Sequence, residues 1–426
     1  MNIVAIAYRY LWSRPLATAL NLLLLALGLA SITLVILTAG QMDRAFERDL
    51  AGIDLVVGAK GSPLQLILAG VFHIDVPPGN IPLAAVQELA ANPQVAQLIP
   101  LSLGDTLRGF RIVGTTPAYA KHYRATVAHG EQWVVEPQTT VQTNGQDQAK
   151  VQAPGAARAS TDLQAVLGAQ VARETGLGPG ARFASSHGLG GKGHEHGDNL
   201  YRVVGMLAPC TCVLDRLVLT PLESVWRVHE KAVALDESDR KVMQAEREVT
   251  LALITYKSPL AAVSLPRFIN TTTEMQAAAP AVEITRLLRM VGVGTQVLQG
   301  FGAVLLLTAG LSVFIALWNA VRERRADLAM LRMLGASAPK IAGLLLCEAL
   351  LLALLATVLG MAFGHALTGL IGHWLQAERS LALTGWIWLP AEWWVPALGA
   401  AVALLAAILP ALGAYRLEVT TLLNVR

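Results

Sequence analysis

Four long apolar runs set the frame into which every other feature of this chain must fit. Residues 15–40, 295–320 and 394–414 carry no Asp, Glu, Lys or Arg, and 341–371 carries one, Glu348. Each can cross a hydrocarbon layer of roughly 30 Å as a helix. A helix is required because a spanning segment must satisfy its own backbone donors and acceptors. Residues 41–290 contain no comparable run. The expected fold is therefore a membrane protein with four transmembrane α-helices and a large mixed α+β extracytoplasmic domain inserted between helices 1 and 2. A mean hydropathy of +0.49 with 15% charged residues fits that mixture and excludes an ordinary soluble enzyme. The net charge of +3 gives no sign of nucleic-acid binding.

Charge placement orients the spans. Arg9 and Arg14 precede the first run, several arginines lie between the second and third, and Arg416 and Arg426 follow the last. Short basic loops stay in the cytoplasm, whereas long insertions translocate largely regardless of charge. The first run exceeds a signal-peptide core and no small-residue cleavage site follows, so it reads as an uncleaved anchor. The expected layout is 1–40 for the cytoplasmic N-terminus and first span, and 41–290 for the outer domain. Then come 291–320 for the second span with an outer stalk, 321–340 for a cytoplasmic helix and 341–371 for the third span. An outer loop over 372–392, a fourth span over 393–415 and a tail over 416–426 complete it, with both termini in the cytoplasm.

Within 321–340 the order is Val321-Arg-Glu-Arg-Arg-Ala-Asp-Leu-Ala-Met-Leu-Arg-Met-Leu-Gly335. Arg322, Arg324, Arg325 and Arg332 alternate with Leu328, Leu331 and Leu334 at helical spacing, giving one cationic and one apolar face. Gly335 is a natural helix stop. The arginines could serve topology alone, or the helix could dock into a groove of a cytoplasmic partner. The stretch from Glu323 to Ala336 resembles the coupling-helix signature of the FtsX/MacB/LolC family of ABC-transporter permeases. That resemblance favours docking and implies coupling roles for Arg322, Glu323, Arg324, Arg325, Leu328, Leu331, Arg332, Leu334 and Gly335. Arginines would pair with acidic groups of the ATPase, leucines would fill its groove, and Gly335 would permit the turn.

In 41–290, residues 53–57, 110–114, 201–207 and 251–256 read as strands. Residues 63–72 and 83–91 read as helices, the first a short core helix or a membrane-proximal apolar surface. Gly58-Ala-Lys-Gly-Ser62 lacks the spacing of a phosphate loop. Residues 137–160 read as a mobile surface loop, and 165–180 as a short helix closed by a glycine turn. The segments beginning at Phe110, Ala165 and Tyr201 resemble the strand–turn pieces of a MacB-type periplasmic core domain. The glycine-rich stretch 185–199 holds His187, His194, His196 and Asp198, with Cys210 and Cys212 downstream. These are ligand types for zinc or copper, but such a loop is not preorganised and equally reads as solvated surface. Three cysteines make no disulfide framework.

In the third run Ala353, Ala356, Gly360 and Gly364 form a stripe suited to close helix packing. Glu348 and His365 lie about 26 Å apart along that helix, too far for one relay, so each is expected at an interface or paired with a neighbour. The tryptophan-rich stretch 381–394 reads as an interfacial belt. No nucleotide-binding loop, hydrolase nucleophile elbow or zinc-protease motif is present in the sequence.

The resemblance implies a bacterial inner-membrane permease subunit, not itself an enzyme and binding no cofactor of its own. A homodimer would work with two copies of a separate ATP-binding subunit, which carries ATP and magnesium. It would act on a lipoprotein, a peptide or antibiotic, or a periplasmic adaptor or partner, in contact with membrane lipids and not nucleic acid. The alternatives are a zinc-linked binding or signalling protein using the His-rich loop, and a membrane scaffold without an ATPase.

Overall fold

The computed structural model describes residues 3–13, 15–133, 163–187, 195–233, 243, 246–377 and 383–416. The chain divides into two compact units, Met1–Arg44 with Leu288–Arg426, and Ala45–Leu287. Among the described residues four helices are long and apolar enough to cross a membrane.

The first unit is helical. A short helix α1 (Ile3–Trp12) precedes α2 (Pro15–Leu50), which carries the first span. The later spans lie in α9 (Pro280–Glu323), α11 (Ala338–Ala377) and α12 (Trp394–Tyr415), with α10 (Arg325–Met333) between α9 and α11. Without a hydrophobic drive between helices in lipid, close packing must come from small residues and polar contacts. A Cβ on Gly360 would stand 2.7 Å from the Ala26 carbonyl oxygen, and one on Gly364 would stand 2.6 Å from the Thr33 Cβ. These two glycines therefore let α11 lie directly on α2, beside buried Ala353 and Ala356. Gly399 of α12 faces Thr357 and Leu29, while the Ser312 hydroxyl of α9 donates to Asn21 Oδ1 at 2.5 Å.

The second unit is an α+β domain. Its strands are β1 (Leu55–Ala59), β2 (Ile81–Pro82), β3 (Val95–Leu107), β4 (Phe110–Thr115), β5 (Val127–Gly130) and β6 (Leu163–Leu167). They continue with β7 (Arg182–His187), β8 (Glu195–Leu207), β9 (Leu217–Pro221), β10 (Glu248–Val249), β11 (Leu251–Tyr256) and β12 (Met275–Ala278). The large sheet runs β12-β1-β11-β3-β4-β9-β6-β8-β5, with β7 pairing both β3 and β8. The pairs β4–β9 and β6–β8 are parallel. Buried on both faces, β4 is a continuous run, Phe-Arg-Ile-Val-Gly-Thr. Helices α3 (Pro63–Gly70), α4 (Leu83–Ala90), α5 (Pro117–His122), α6 (Ala169–Thr175), α7 (Leu222–Val233) and α8 (Ala261–Thr272) accompany the sheet.

Three sequence expectations change here. Ala165–Leu167 is the end of strand β6, and only from Ala169 does the chain turn helical. Val166 and Leu167 pair with β9 on one side and β8 on the other, so sheet pairing overrides the local helical pattern. The stretch 185–199 is not one loop: 185–187 belongs to β7 and 195–199 to β8, and 188–194 lies outside the described residues. Cys210 and Cys212 form a disulfide. The apolar segment at 63–70 is a core helix, with Leu66 and Ile67 fully buried and Ser62 capping its first turn. The stretch 137–160 lies outside the described residues.

Candidate functional site

The foot of the first unit is built where α9 meets α10. Arg324 leaves helical geometry at φ −95° and ψ 16°, yet its N–H still bonds to Ala320 O and its carbonyl still accepts from Leu328. The backbone thus bends without breaking its ladder. Helix α10 then stops in a Schellman arrangement: Ala336 N donates to Leu331 O and Gly335 N to Arg332 O, with Gly335 at φ +95°. A β-carbon there would be strained, which accounts for glycine.

Arg324 does not face outward. Its guanidinium donates to Ser13 Oγ at 2.7 Å and Tyr10 O at 3.3 Å, and lies 4.1 Å from the centre of the Tyr10 ring. Glu348 Oε2 of α11 stands 3.9 Å away, and the Arg324 side chain is only 12% exposed. This arginine ties α1, the α9–α10 bend and α11 together. These contacts hold the guanidinium inside the chain, where the sequence alone predicts a contact for a partner. A cleft of about 280 Å³ opens beside it, lined by Asn21, Ser312, Glu323 and Glu348 among others.

The leucines divide in the same way. Leu328, 2% exposed, belongs to the core of the first unit with Val321, Ile341 and Leu345, and Leu331 packs against that core. That face is the one the bundle packs against. Leu334, 85% exposed, points away, together with Met330 and Met333. Arg322, Glu323, Arg325 and Asp327 are exposed around them, with Arg332 half-buried. The outward face is therefore methionine, leucine and mixed charge. Reading leucines alone missed Met330 and Met333, whose spacing from Leu334 was the available signal.

In the second half of α11, His365 donates from Nδ1 to the Gly385 carbonyl at 2.7 Å, and its Nε2 meets Glu392 Oε2 at 2.8 Å. Glu392 is fully buried, and its other oxygen accepts from Leu389 N at 2.7 Å. Gln41 clamps the same segment by bonding both backbone groups of Thr384. Sequence reading paired His365 with an unnamed neighbour; Glu392, the single acidic residue between Leu381 and Arg416, was the signal for it.

Of the candidate metal ligands, the two cysteines take another role. Cys210 and Cys212 spend their sulfurs on each other, so neither is a thiolate ligand. His187 sits on β7 opposite Asp105 of β3, His196 and Asp198 lie on β8, and His194 is outside the described residues. Among the described residues no three His, Cys, Asp or Glu side chains are grouped to hold a metal.

The inserted domain also encloses a polar cluster that the sequence did not announce. His73 Nε2 lies 2.9 Å from the Tyr119 hydroxyl, and the histidine is buried. Burial pushes its imidazole well below the usual range, and the charges of Arg111 and Arg216 add to that. Arg111 donates to the Asp75 and Ala69 carbonyls, and burial lowers its own pKa to about 10 against the pull of Asp75.

Residues 18–250 match the family model for a MacB-like periplasmic core domain, and residues 300–419 match that for the FtsX-like permease C-terminal region. No curated protein matches the chain. Solved structures similar to part of it include the following two. The periplasmic region of MacB from Actinobacillus actinomycetemcomitans is 10% identical, with 56% of this chain and 95% of that one covered at a TM-score of 0.33. The extracellular domain of the noncanonic ABC-type transporter YknZ from Gram-positive bacteria is 12% identical, with coverages of 53% and 98% and a TM-score of 0.29.

Proposed function

Since this chain belongs to the family of ABC-transporter permeases that join a MacB-like periplasmic core domain to an FtsX-like permease region, we propose that it transmits force from a cytoplasmic ATPase to its inserted domain. Permeases of this family work with a cytoplasmic ATPase partner. In this reading two copies of the chain sit in a bacterial inner membrane with two ATP-binding subunits, which hold ATP and magnesium. Both termini and α10 face the cytoplasm, and the inserted domain lies in the periplasm. It acts there on a lipoprotein, a peptide or antibiotic, or a periplasmic partner.

One observation supports the mechanical reading above the rest. Helix α9 runs without interruption for 44 residues, about 66 Å at 1.5 Å per residue. That is roughly twice the hydrocarbon thickness. It ends at the bend on Arg324, immediately before the face carrying Met330, Met333 and Leu334. Closure of the ATPase pair would push on that face. Arg324 would pass the displacement to α1 and α11, and α9 would pass it along its own axis. Flexible methionines suit a surface that must re-pack during a cycle.

Leu334→Asp in the complex co-reconstituted with its ATPase is expected to cut permease-stimulated ATP turnover at least roughly tenfold. Membrane insertion and melting should stay within about 0.5 kcal/mol of wild type, because the side chain is already in solvent. Unchanged turnover would refute the docking face. Leu331→Asp is the poorer probe, since Leu331 packs on the core of its own unit and a charge there tests folding.

A further inference from the structure

We propose that Cys210 and Cys212 form a thiol–disulfide exchange site whose redox state sets how firmly residues 48 and 49 are held. Closing a loop of only three residues removes little entropy from the unfolded chain, so this bridge is poorly suited to be a structural staple. Its setting is also that of an accessible bond. Thr211 is exposed and Cys210 half-buried, while Cys212 is buried. Thr211 is held at φ +55°, a conformation that β-branched residues rarely adopt. A disulfide reachable at one sulfur and held in strained backbone belongs to the labile, exchange-active class.

The chemistry follows from the difference in burial. A thiolate of an incoming dithiol attacks Sγ of Cys210, and the Cys210–Cys212 bond breaks with Cys212 leaving as thiolate. The second thiol of the dithiol then attacks its own sulfur in the mixed disulfide and releases Cys210. The dithiol becomes a disulfide; the protein gains two electrons and two protons as two thiols.

The bridge matters because of what its loop holds. Asp215 accepts the N–H groups of Cys210 at 3.0 Å and Thr211 at 2.7 Å, fixing the turn. From that turn Val213 N donates to Asp49 Oδ1 at 3.2 Å, and Arg48 reaches the Thr211 hydroxyl at 3.5 Å. Tyr123 donates to the Asp49 carbonyl from the other side. All of these residues lie in the inserted domain, where 45–50 forms the last turns of α2. Opening the bridge frees Thr211 to leave its left-handed conformation, and the Asp215 cap and both contacts to 48–49 loosen with it. Tyr123 remains as the redox-independent hold.

The test uses the full chain in nanodiscs with dithiothreitol as the dithiol. Alkylation mapped by mass spectrometry should show Cys210 and Cys212 opening under native conditions and closing again with oxidised dithiothreitol. Amide exchange at 45–50 and 209–216 should quicken roughly tenfold in the reduced form, with the rest of the domain unchanged. Cys210→Ser with Cys212→Ser should reproduce the reduced pattern without reductant; if that variant fails to fold, reduced wild type carries the comparison. A bridge that opens only in denaturant would overturn the exchange site. Opening with no change at 45–50 would overturn the grip. Neither result depends on ATPase coupling.

Discussion

Two polar pairs along α11, one at Glu348 and one at His365, differ in character. At the foot, Arg324 and Glu348 stand 3.9 Å apart beside an open cleft, and the arginine shares itself with a serine, a backbone carbonyl and a tyrosine ring. Further along the helix, His365 and Glu392 meet at 2.8 Å with the carboxylate sealed from solvent and every contact short. A long contact whose arginine is shared among several partners can be remade at smaller cost. A short buried one cannot, because breaking it strands a polar group in an apolar surrounding. Under the proposed mechanism, α11 would be held firmly around His365 and be adjustable around Glu348.

Removing each acid in turn should expose that asymmetry. Glu392→Ala leaves His365 and the Leu389 N–H without their acceptor and is expected to cost about 3–5 kcal/mol, read as a lowered melting temperature of the purified protein. Glu348→Ala leaves Arg324 its bonds to Ser13 and Tyr10, so about 1–2 kcal/mol is expected, with a larger proportional loss of ATP coupling. Equal destabilisation by the two substitutions would erase the distinction between a fixed and an adjustable pair.

The smallest effect concerns pH. Folding lowers the His73 pKa below its unfolded value near 6.5. The unfolded chain therefore takes up the proton first as pH falls. The contribution of neutral His73 is complete above about 6.5 and is lost progressively below it, by about 1 kcal/mol at pH 5.5. Melting at pH 7.5 and 5.5 should show this loss in wild type, and His73→Gln should flatten it. A slope that survives the substitution would place the acid sensitivity elsewhere.

The spans, the inserted domain and the position of the foot were legible because run length and charge placement are one-dimensional signals. What failed needed a neighbour to be known. Helical spacing separates Leu328 and Leu331 from Met330, Met333 and Leu334, but it cannot say which face the bundle takes. Strand β3 hides Pro100 and Gly104 inside a 13-residue ladder, so its sequence lacks a strand's usual alternation. Cys210 and Cys212 read as candidate metal ligands until the turn at Thr211 is seen to bring their sulfurs together. Arg324 looked like its neighbouring arginines, although Tyr10 and Ser13, more than 300 positions away, decide where it points.

The most direct measurement places a photocrosslinking residue at Leu334 on the foot and, in a second variant, at Trp386 near the outer end of α11, both fully in the open. Illumination of intact membranes should capture a nucleotide-binding subunit from position 334 and none from 386. Capture of that subunit from 386, or from neither position while it still co-purifies, would contradict a foot that docks on the ATPase.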